Sequence, residues 1–302
     1  MIFHPANYRF HIAKYSGVFA TISVMNTLPH DIPLGKSSEY PESYNPGLLF
    51  PIPRAQTREA LGLQGSQSLP FVGWDQWTGY ELSWLNPRGL PQVALLSVDF
   101  SCDSPNIIES KSFKLYLNSL NQTRFETQAH LLKTLTEDLS RASGSAARVC
   151  IVPANELSGQ RIIDLEGIDI DHQDIDISFY HPDASLLKTM PGAEKVNETL
   201  RSRLLKSNCP VTNQPDWACV QIAYQGNQID RAALLQYIVS FRMHSGFHEQ
   251  CVERMFMDIM RVCQPQALSV YARYLRRGGL DINPWRATPG TASPVPTRTA
   301  RQ

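Results

Sequence analysis

The hydrophobic and polar positions of the chain follow two different periods, and the order in which these periods occur repeats. Strand-like segments alternate apolar and polar residues, whereas helical segments place apolar residues three or four positions apart. Each of two successive units is predicted to hold two strands, two helices and two further strands. The first unit comprises strands at 74–84 and 93–100, helices at 109–120 and 126–141, and strands at 148–153 and 161–170. The second unit comprises strands at 196–205 and 217–224, helices at 230–244 and 247–263, and strands at 267–274 and 280–282.

The repeated order predicts an α+β fold made of two tandem ββααββ modules, each with its helices on one face of an antiparallel sheet. Met25 reads as a natural start, so residues 1–24 are interpreted as an extension without function. Frequent proline, serine and glycine predict an irregular arm before the first module and a loose tail after the second. The predicted organisation is an extension at 1–27, an arm at 28–70, modules at 71–180 and 181–286, and a tail at 287–302.

Composition excludes several classes of function. The 28 basic and 28 acidic side chains give a formal net charge of zero, so the chain lacks the positive surface that binds nucleic acid. No apolar run approaches the ~20 residues that span a bilayer, so no membrane segment is predicted. The six cysteines form no Cys-x-x-Cys pair and are too sparse for a disulfide framework. The sequence therefore predicts a cytoplasmic protein with reduced thiols.

Residues 109–116, Glu-Ser-Lys-Ser-Phe-Lys-Leu-Tyr, place charged and hydroxyl side chains around an apolar stripe. On a helix, Lys111 and Lys114 are neighbours, and two lysines beside serine hydroxyls suit a phosphate-bearing ligand. The alternative is an amphipathic helix with a solvated basic face, whose start is closed by a capping box of Asn106 and Glu109. These residues alone leave both interpretations open.

Cys209 is the candidate nucleophile, because it lies in a polar, turn-forming segment at a strand end. By contrast, Cys219, Cys251 and Cys263 fall on apolar stripes that predict core positions. Asp216 stands seven residues after Cys209, where the intervening loop can bring its carboxyl group back to the thiol. An aspartate that merely closes a turn is the alternative.

His248 and Glu249 open a predicted helix, with Ser245 as the predicted N-cap. The helix dipole alone explains a glutamate in the first turn. The functional alternative is that its two carboxylate oxygens accept hydrogen bonds from the ring N–H and amino group of a guanine-like edge. A zinc site is not predicted, because the position of a second histidine holds Val252. The chain also lacks the Gly-x-Gly-x-x-Gly pattern of a Rossmann domain.

Four segments of the chain, which include the candidate residues above, resemble the QueF family and occur in the same order as in that family. Its members are NADPH-dependent 7-cyano-7-deazaguanine reductases of queuosine biosynthesis, a pathway of tRNA modification. The resemblance runs from about residue 34 to residue 286, in the long, two-module form of the family. The matching segments are 109–125, 205–217, 247–254 and 271–286.

The resemblance implies the tunnelling fold (T-fold), in which modules assemble side by side into a barrel with active sites where modules meet. A homodimer or a larger assembly is therefore expected, with the homodimer favoured and with neither nucleic acid nor a membrane as partner. The implied reaction reduces the nitrile of 7-cyano-7-deazaguanine to 7-aminomethyl-7-deazaguanine with NADPH. A covalent thioimide is implied on Cys209, with Asp216 as the proton shuttle and a closing element that excludes water.

The resemblance also implies the binding residues. Phe247 is expected to stack on the substrate ring. The implied substrate-binding residues are Ile108, Glu109, Ser110, His248 and Glu249. The implied NADPH-binding residues are Ser110, Lys111, Arg277 and Gly278, with Lys114 as a weaker candidate. Two alternatives remain, namely a non-redox tunnelling-fold enzyme acting on a purine or pterin, and a non-catalytic purine-binding module.

Overall fold

The computed structural model of the chain describes residues 41–63, 68–159 and 161–302. The predicted extension at 1–27 and two parts of the predicted arm, 28–40 and 64–67, lie outside these residues. Helices and strands in the described ranges alternate in the order expected for a mixed α+β protein. The helices are α1 (Arg54–Arg58), α2 (Ser110–Leu120), α3 (Gln128–Ser143), α4 (Arg231–Ser240) and α5 (His248–Cys263). The strands are β1 (Pro51–Pro53), β2 (Val72–Leu85), β3 (Pro91–Ser101), β4 (Asn106–Ile108), β5 (Arg148–Pro153), β6 (Ile168–Asp169), β7 (Lys195–Asn208), β8 (Pro215–Asn227), β9 (Ala267–Tyr274) and β10 (Leu280–Ala287).

The two predicted units share one continuous sheet. Within the described residues its strand order is β5-β3-β2-β10-β9-β8-β7-β6, antiparallel except where β6 meets β7. The long last strand makes this continuity possible, because β10 pairs with β2 on one side and with β9 on the other. A separate pair, β1 with β4, lies at the start of α2.

The prediction of a second closing strand in the first unit is wrong. Residues 161–170 hold only the two-residue β6, and this strand runs parallel to β7 of the second unit. Ion pairs explain the placement, since Asp164 and Asp169 both contact Arg203 of β7. Opposite charges on β7 therefore hold this segment at the far edge of the sheet.

Both helix pairs cover the same face of the sheet. Residues directly opposite each other in antiparallel strands share a face, and Trp77 of β2 pairs with Ile282 of β10. The core of the first unit packs Trp77, Leu96, Val98 and Ile282 against Phe113, Leu120, Leu131 and Leu135. The core of the second unit packs Val220, Ile222, Val270 and Ala272 against Leu234, Ile238, Met255 and Ile259. Three cysteines predicted for the interior, Cys219, Cys251 and Cys263, are buried.

The C-terminal residues are packed rather than loose, contrary to the sequence prediction. They lie on the face of the sheet opposite the helices, and the side chain of Gln302 is buried against it. Its amide accepts a hydrogen bond from Arg273 Nε at 2.9 Å and donates to the carbonyl of Tyr274 at 2.9 Å. Polar groups on this face need partners, and the tail supplies them. In the described ranges, no helix has the length and apolar character that crossing a bilayer requires.

Candidate active site

A pocket lies where the start of α5, the β7–β8 loop, the start of α2 and the β9–β10 turn converge. The empty space between its lining atoms is about 570 Å³. Apolar wall comes from Trp77, Leu275 and Ile282, among others. Most residues that the sequence singled out line it. They are Ile108, Ser110, Lys114, Cys209, Asp216, Phe247, His248, Glu249 and Arg277.

Glu109 does not reach the wall of this pocket, although it lies at its edge. Its two carboxylate oxygens accept hydrogen bonds from the backbone N–H groups of Lys111 at 2.8 Å and Ser112 at 2.6 Å. Glu109 is therefore the N-cap of α2. Burial raises the pKa of its carboxyl group, although the two hydrogen bonds act to lower it. The predicted capping box is wrong, because Asn106 belongs to β4 and pairs with β1.

Of the two lysines in the signature segment, Lys114 lines the pocket and Lys111 does not. Burial lowers the pKa of Lys114, and the nearby guanidinium of Arg277 lowers it further. Gly278 lies outside the pocket wall but packs on this lysine, because a Cβ atom there would stand 3.2 Å from Lys114 Cε. Its φ of +62° also favours glycine. The β9–β10 turn thereby closes over Lys114.

Cys209 stands at the start of the short loop that joins β7 to β8. Pairing of the two strands continues to Asn208 opposite Pro215, so the loop is tight. Its ends are fixed by the hydrogen bond from the Cys209 N–H to the carbonyl of Gln214 at 2.9 Å. The thiol is 4% exposed, which shields it from bulk solvent while it still lines the pocket.

Asp216 lies in β8, opposite Ser207, and its carboxyl group is held between two basic side chains. One oxygen is 3.3 Å from Nε2 of His248, and the other is 2.9 Å from Nη1 of Arg277. The contact with Arg277 is a close ion pair without the angles of a hydrogen bond. The carboxyl group of Asp216 therefore contacts an imidazole with one oxygen and a guanidinium group with the other.

His248 is fixed by stacking rather than by hydrogen bonds. Its ring lies parallel to that of Tyr274, with centroids 3.8 Å apart. Nδ1 of His248 is buried and has no hydrogen-bond partner among the described residues. The stacking on Tyr274 and the contact of Nε2 with Asp216 together fix the orientation of the ring.

The start of α5 differs from the prediction that Ser245 is its N-cap. Phe247 occupies the N-cap position, and its backbone N–H donates to Oε1 of Gln250 at 2.9 Å. Ser245 instead forms a bridge with Asn208, and the N–H of Gly246 donates to the carbonyl of Asn208 at 3.1 Å. This extended connection carries the start of α5 alongside the end of β7, and so brings Glu249 into the pocket of Cys209.

Glu249 presents a buried carboxyl group to the pocket. Burial raises its pKa, and the neighbouring Asp75 raises it further, while His248 and Arg54 lower it. A carboxyl group in this setting gains from a ligand that offers paired hydrogen-bond donors. Tyr274 and Arg54 were missed by sequence reasoning. Tyr274 follows the strand period like any core residue, and Arg54 lies in a proline-rich segment without periodicity.

Two family models match the chain. One, described as nitrile reductase, 7-cyano-7-deazaguanine-reductase N-term, matches residues 40–151. The other, described as QueF-like protein, matches residues 215–292. Together they span both units and include every residue of the pocket named above except Cys209, which lies between them.

Curated relatives resemble the chain over nearly its whole length. An NADPH-dependent 7-cyano-7-deazaguanine reductase of Bordetella parapertussis is 56% identical over 89% of this chain and 98% of its own length. Proteins of the same name are 53% identical in Paraburkholderia phymatum and 52% identical in Burkholderia orbicola, each over 91% of this chain and 99% of their own length. The crystal structure of the archaeosine synthase QueF-Like in the apo form is a distant neighbour, with 16% identity and a TM-score of 0.29. It covers 32% of this chain and 96% of that chain.

Proposed function

Since the chain belongs to the family of NADPH-dependent 7-cyano-7-deazaguanine reductases, we propose that it catalyses that reaction. In this proposal it is a cytoplasmic oxidoreductase that uses NADPH to reduce the nitrile of 7-cyano-7-deazaguanine to 7-aminomethyl-7-deazaguanine, a step of queuosine biosynthesis. The observation that carries the proposal is a single pocket in which a cysteine, a histidine and two buried carboxyl groups meet. A purine-binding site without redox chemistry has no need of that cysteine.

Glu249 is proposed to anchor the substrate. The two oxygens of its carboxylate suit the ring N–H and the amino group of a guanine-like edge, which lie side by side. Each charge-assisted hydrogen bond contributes about 1.5–3 kcal/mol. Phe247 lines the same pocket and offers an aromatic face on which the ring can stack. Ile108 and Ser110 are proposed to line the substrate as well.

Cys209 is proposed to attack the nitrile carbon. A nitrile is a weak electrophile, so the nucleophile must be a thiolate, and an ordinary thiol is only a few per cent ionised at pH 7. Lys114 and Arg277 line the same pocket and bring positively charged side chains to it. When sulfur bonds to carbon, the triple bond becomes a double bond and the nitrogen takes up a proton, giving a thioimide.

Asp216 is proposed to deliver that proton, with His248 in support. Its carboxyl group contacts both His248 and Arg277, so a proton lost to the substrate nitrogen can be replaced through the histidine. After the first reduction the carbon–sulfur bond breaks, the thiolate leaves and an imine remains in the pocket. A second reduction and proton transfer give the amine, a four-electron change in all.

The basic residues around the pocket fit a dinucleotide. Ser110, Lys114 and Arg277 line it, and Gly278 allows the β9–β10 turn to approach Lys114 closely. Lys111 stands in the first turn of α2 and is proposed to hold phosphate together with them. NADPH supplies a hydride for each of the two reduction steps. Cys209, Asp216 and Glu249 are all buried, which limits the access of water to the imine.

The assembled form is proposed to be a homodimer of tunnelling-fold modules that closes a barrel. Two tandem modules in one sheet support this, because the sheet ends in strands β5 and β6, whose outer edges have no partner among the described residues. Unpaired edges favour pairing with another chain. Light scattering coupled to size-exclusion chromatography measures the mass directly, and a monomer at micromolar concentration would contradict the proposal.

The decisive experiment follows the absorbance of NADPH with 7-cyano-7-deazaguanine as substrate. Consumption of two equivalents per amine formed, with the amine identified by mass spectrometry, supports the reductase. A folded protein that binds the substrate but consumes no NADPH would instead be a non-redox enzyme or a binding module. Cys209→Ser, which keeps the pocket but weakens the nucleophile, is the matched control and should show no turnover.

A further inference from the structure

A cluster of five buried charged residues lies beneath the start of α5. Its members are distant in sequence and come from four different elements. They are Arg54 and Arg58 of α1, Asp75 of β2, Glu253 of α5 and Arg286 of β10, and each side chain is 9% exposed or less. The proposed mechanism assigns none of them a role.

Arg286 links the two carboxylates of this buried cluster. Its Nη1 is 2.7 Å from Asp75, and its Nη2 is 2.8 Å from Glu253. Arg54 contacts the other oxygen of Asp75 at 2.6 Å, and Arg58 contacts Glu253 at 2.6 Å. Three guanidinium groups thus meet two carboxylates, which leaves one positive charge in excess.

An ionised Glu249 would balance that excess. It precedes Glu253 by one helical turn, so both glutamates lie on the same side of α5. A net charge buried in a protein interior is unfavourable unless an opposite charge compensates it. With Glu249 ionised, three carboxylates face three guanidinium groups, and the enlarged cluster is neutral.

The charged groups that face Glu249 come from three elements. Asp75 of β2 disfavours the ionised carboxyl group, whereas Arg54 of α1 and His248 of α5 favour it. Arg54 is itself fixed from two sides. Its Nε donates to Oγ of Ser104 at 3.1 Å, and its backbone N–H donates to the carbonyl of Pro105 at 2.9 Å. The backbone bond therefore fixes the start of α1, and the guanidinium cannot swing away without breaking its bond to Ser104.

We infer that Arg54 is a positioning residue for substrate binding, because its fixed guanidinium favours the ionised carboxylate of Glu249, the form that accepts hydrogen bonds from the substrate. The inference rests on the proposed function, in which Glu249 binds the guanine-like edge. Asp75 holds Arg54 in place but acts on Glu249 in the opposite sense. The ionised form is the one that accepts two hydrogen bonds, so substrate affinity should fall at acid pH as Glu249 becomes protonated.

The ion pair between Arg54 and Asp75 permits a test, because substitutions of its two members should shift the pH dependence of substrate binding in opposite directions. Either single substitution breaks the same 2.6 Å contact, and Asp75→Asn also weakens the contact with Arg286, so both variants loosen the buried cluster. Their charge effects on Glu249 are opposite. Arg54→Met removes the favourable charge and should move the acid-side loss of affinity to higher pH. Asp75→Asn removes the unfavourable charge and should move it to lower pH. If loosened packing were the only effect, both substitutions would move the acid-side transition in the same direction.

The measurement is the dissociation constant of 7-cyano-7-deazaguanine by calorimetry between pH 5 and pH 9. Every variant carries Cys209→Ala, so that no covalent bond contributes. On the acid side of the transition, a shift by one pH unit changes the dissociation constant about tenfold. In the double variant Arg54→Met with Asp75→Asn, the acid-side transition should lie close to that of the parent. Arg54→Lys keeps the charge, so its transition should lie nearer to that of the parent than the transition of Arg54→Met does.

A matched control is Arg231→Met, which breaks a partly buried ion pair with Glu198 at 2.7 Å, remote from the pocket, and should not move the transition. Thermal melting confirms that each variant is folded. If Arg54→Met does not fold, Asp75→Asn alone still decides, since an unshifted or upward-shifted transition overturns the inference. A parent protein that binds no substrate at any pH instead defeats the proposed function.

Discussion

Gln302→Ala should destabilise the protein measurably. Its side chain is buried and makes several hydrogen bonds. Oε1 accepts from Arg273 Nε at 2.9 Å and from the Thr299 N–H at 3.0 Å. Nε2 donates to the Tyr274 carbonyl at 2.9 Å and to Oδ1 of Asn283 at 2.8 Å. Alanine removes these bonds and leaves their partners behind.

The size of the effect follows from these partners. A neutral hydrogen bond contributes about 0.5–1.5 kcal/mol net, and one to a charged group about 1.5–3 kcal/mol. Water can enter the space left by the side chain and replace part of this, so we expect a loss of roughly 2–4 kcal/mol rather than the full sum. For a chain of this size, each kcal/mol lowers the melting temperature by about 2 °C, which predicts a fall of about 4–8 °C.

Differential scanning calorimetry of the ligand-free protein is the assay. Thr297→Ala is the control, because that side-chain hydroxyl donates only to the carbonyl of Val295 within the same tail, and it should change the melting temperature by less than about 1 °C. Gln302→Glu keeps the two accepted bonds but sets an oxygen against the oxygens of Tyr274 and Asn283, so it should also destabilise. A melting temperature of Gln302→Ala within 1 °C of the parent would refute the reasoning.

Three further predictions concern the pocket. Cys209→Ala should abolish the covalent substrate adduct seen by mass spectrometry while binding persists, and an adduct in that variant would place the nucleophile elsewhere. Glu249→Leu should weaken substrate binding by about 3 kcal/mol or more, as two charge-assisted bonds are lost, and calorimetry showing unchanged affinity would remove Glu249 from the substrate contact. Burial and Arg277 lower the pKa of Lys114, so its charge is present at low pH and is lost, as pH rises, earlier than for an ordinary lysine. NADPH affinity by fluorescence titration should fall in that basic range, and Lys114→Arg should remove the fall; an identical pH profile for both proteins contradicts this role.

Most strands and helices could be predicted from the sequence because their signals are local. The strands around Trp77 and Val220 alternate apolar and polar residues, and the helices around Leu135 and Met255 follow the helical period. The prediction is wrong for segments whose structure depends on residues distant in sequence. Residues 161–170 follow ion pairs to β7, and the tail follows the polar groups of β9 and β10. Neither partner is visible in the segment itself.

The residues of the candidate site likewise comprise some that their own segments predict and some that only the fold identifies. Cys209, Asp216 and Glu249 stand out in their own segments, and all three line the pocket. Lys114 rather than Lys111 faces the pocket, a difference of less than one helical turn that depends on the exact rotation of α2. Arg54 offered no signal, because its importance comes from charges that only the folded chain brings together.

The position of β10 has a consequence for biosynthesis. Of the described strands it is the last to be made, yet it occupies the middle of the sheet, between β2 and β9. Until it leaves the ribosome, the described part of the nascent protein consists of two half-sheets, each with a long unpaired margin. Such margins invite pairing with other emerging copies, so the newly made polypeptide should depend on chaperones until residues 280–287 have emerged. Premature termination just before residue 280 would accordingly yield aggregates rather than a partly active fragment.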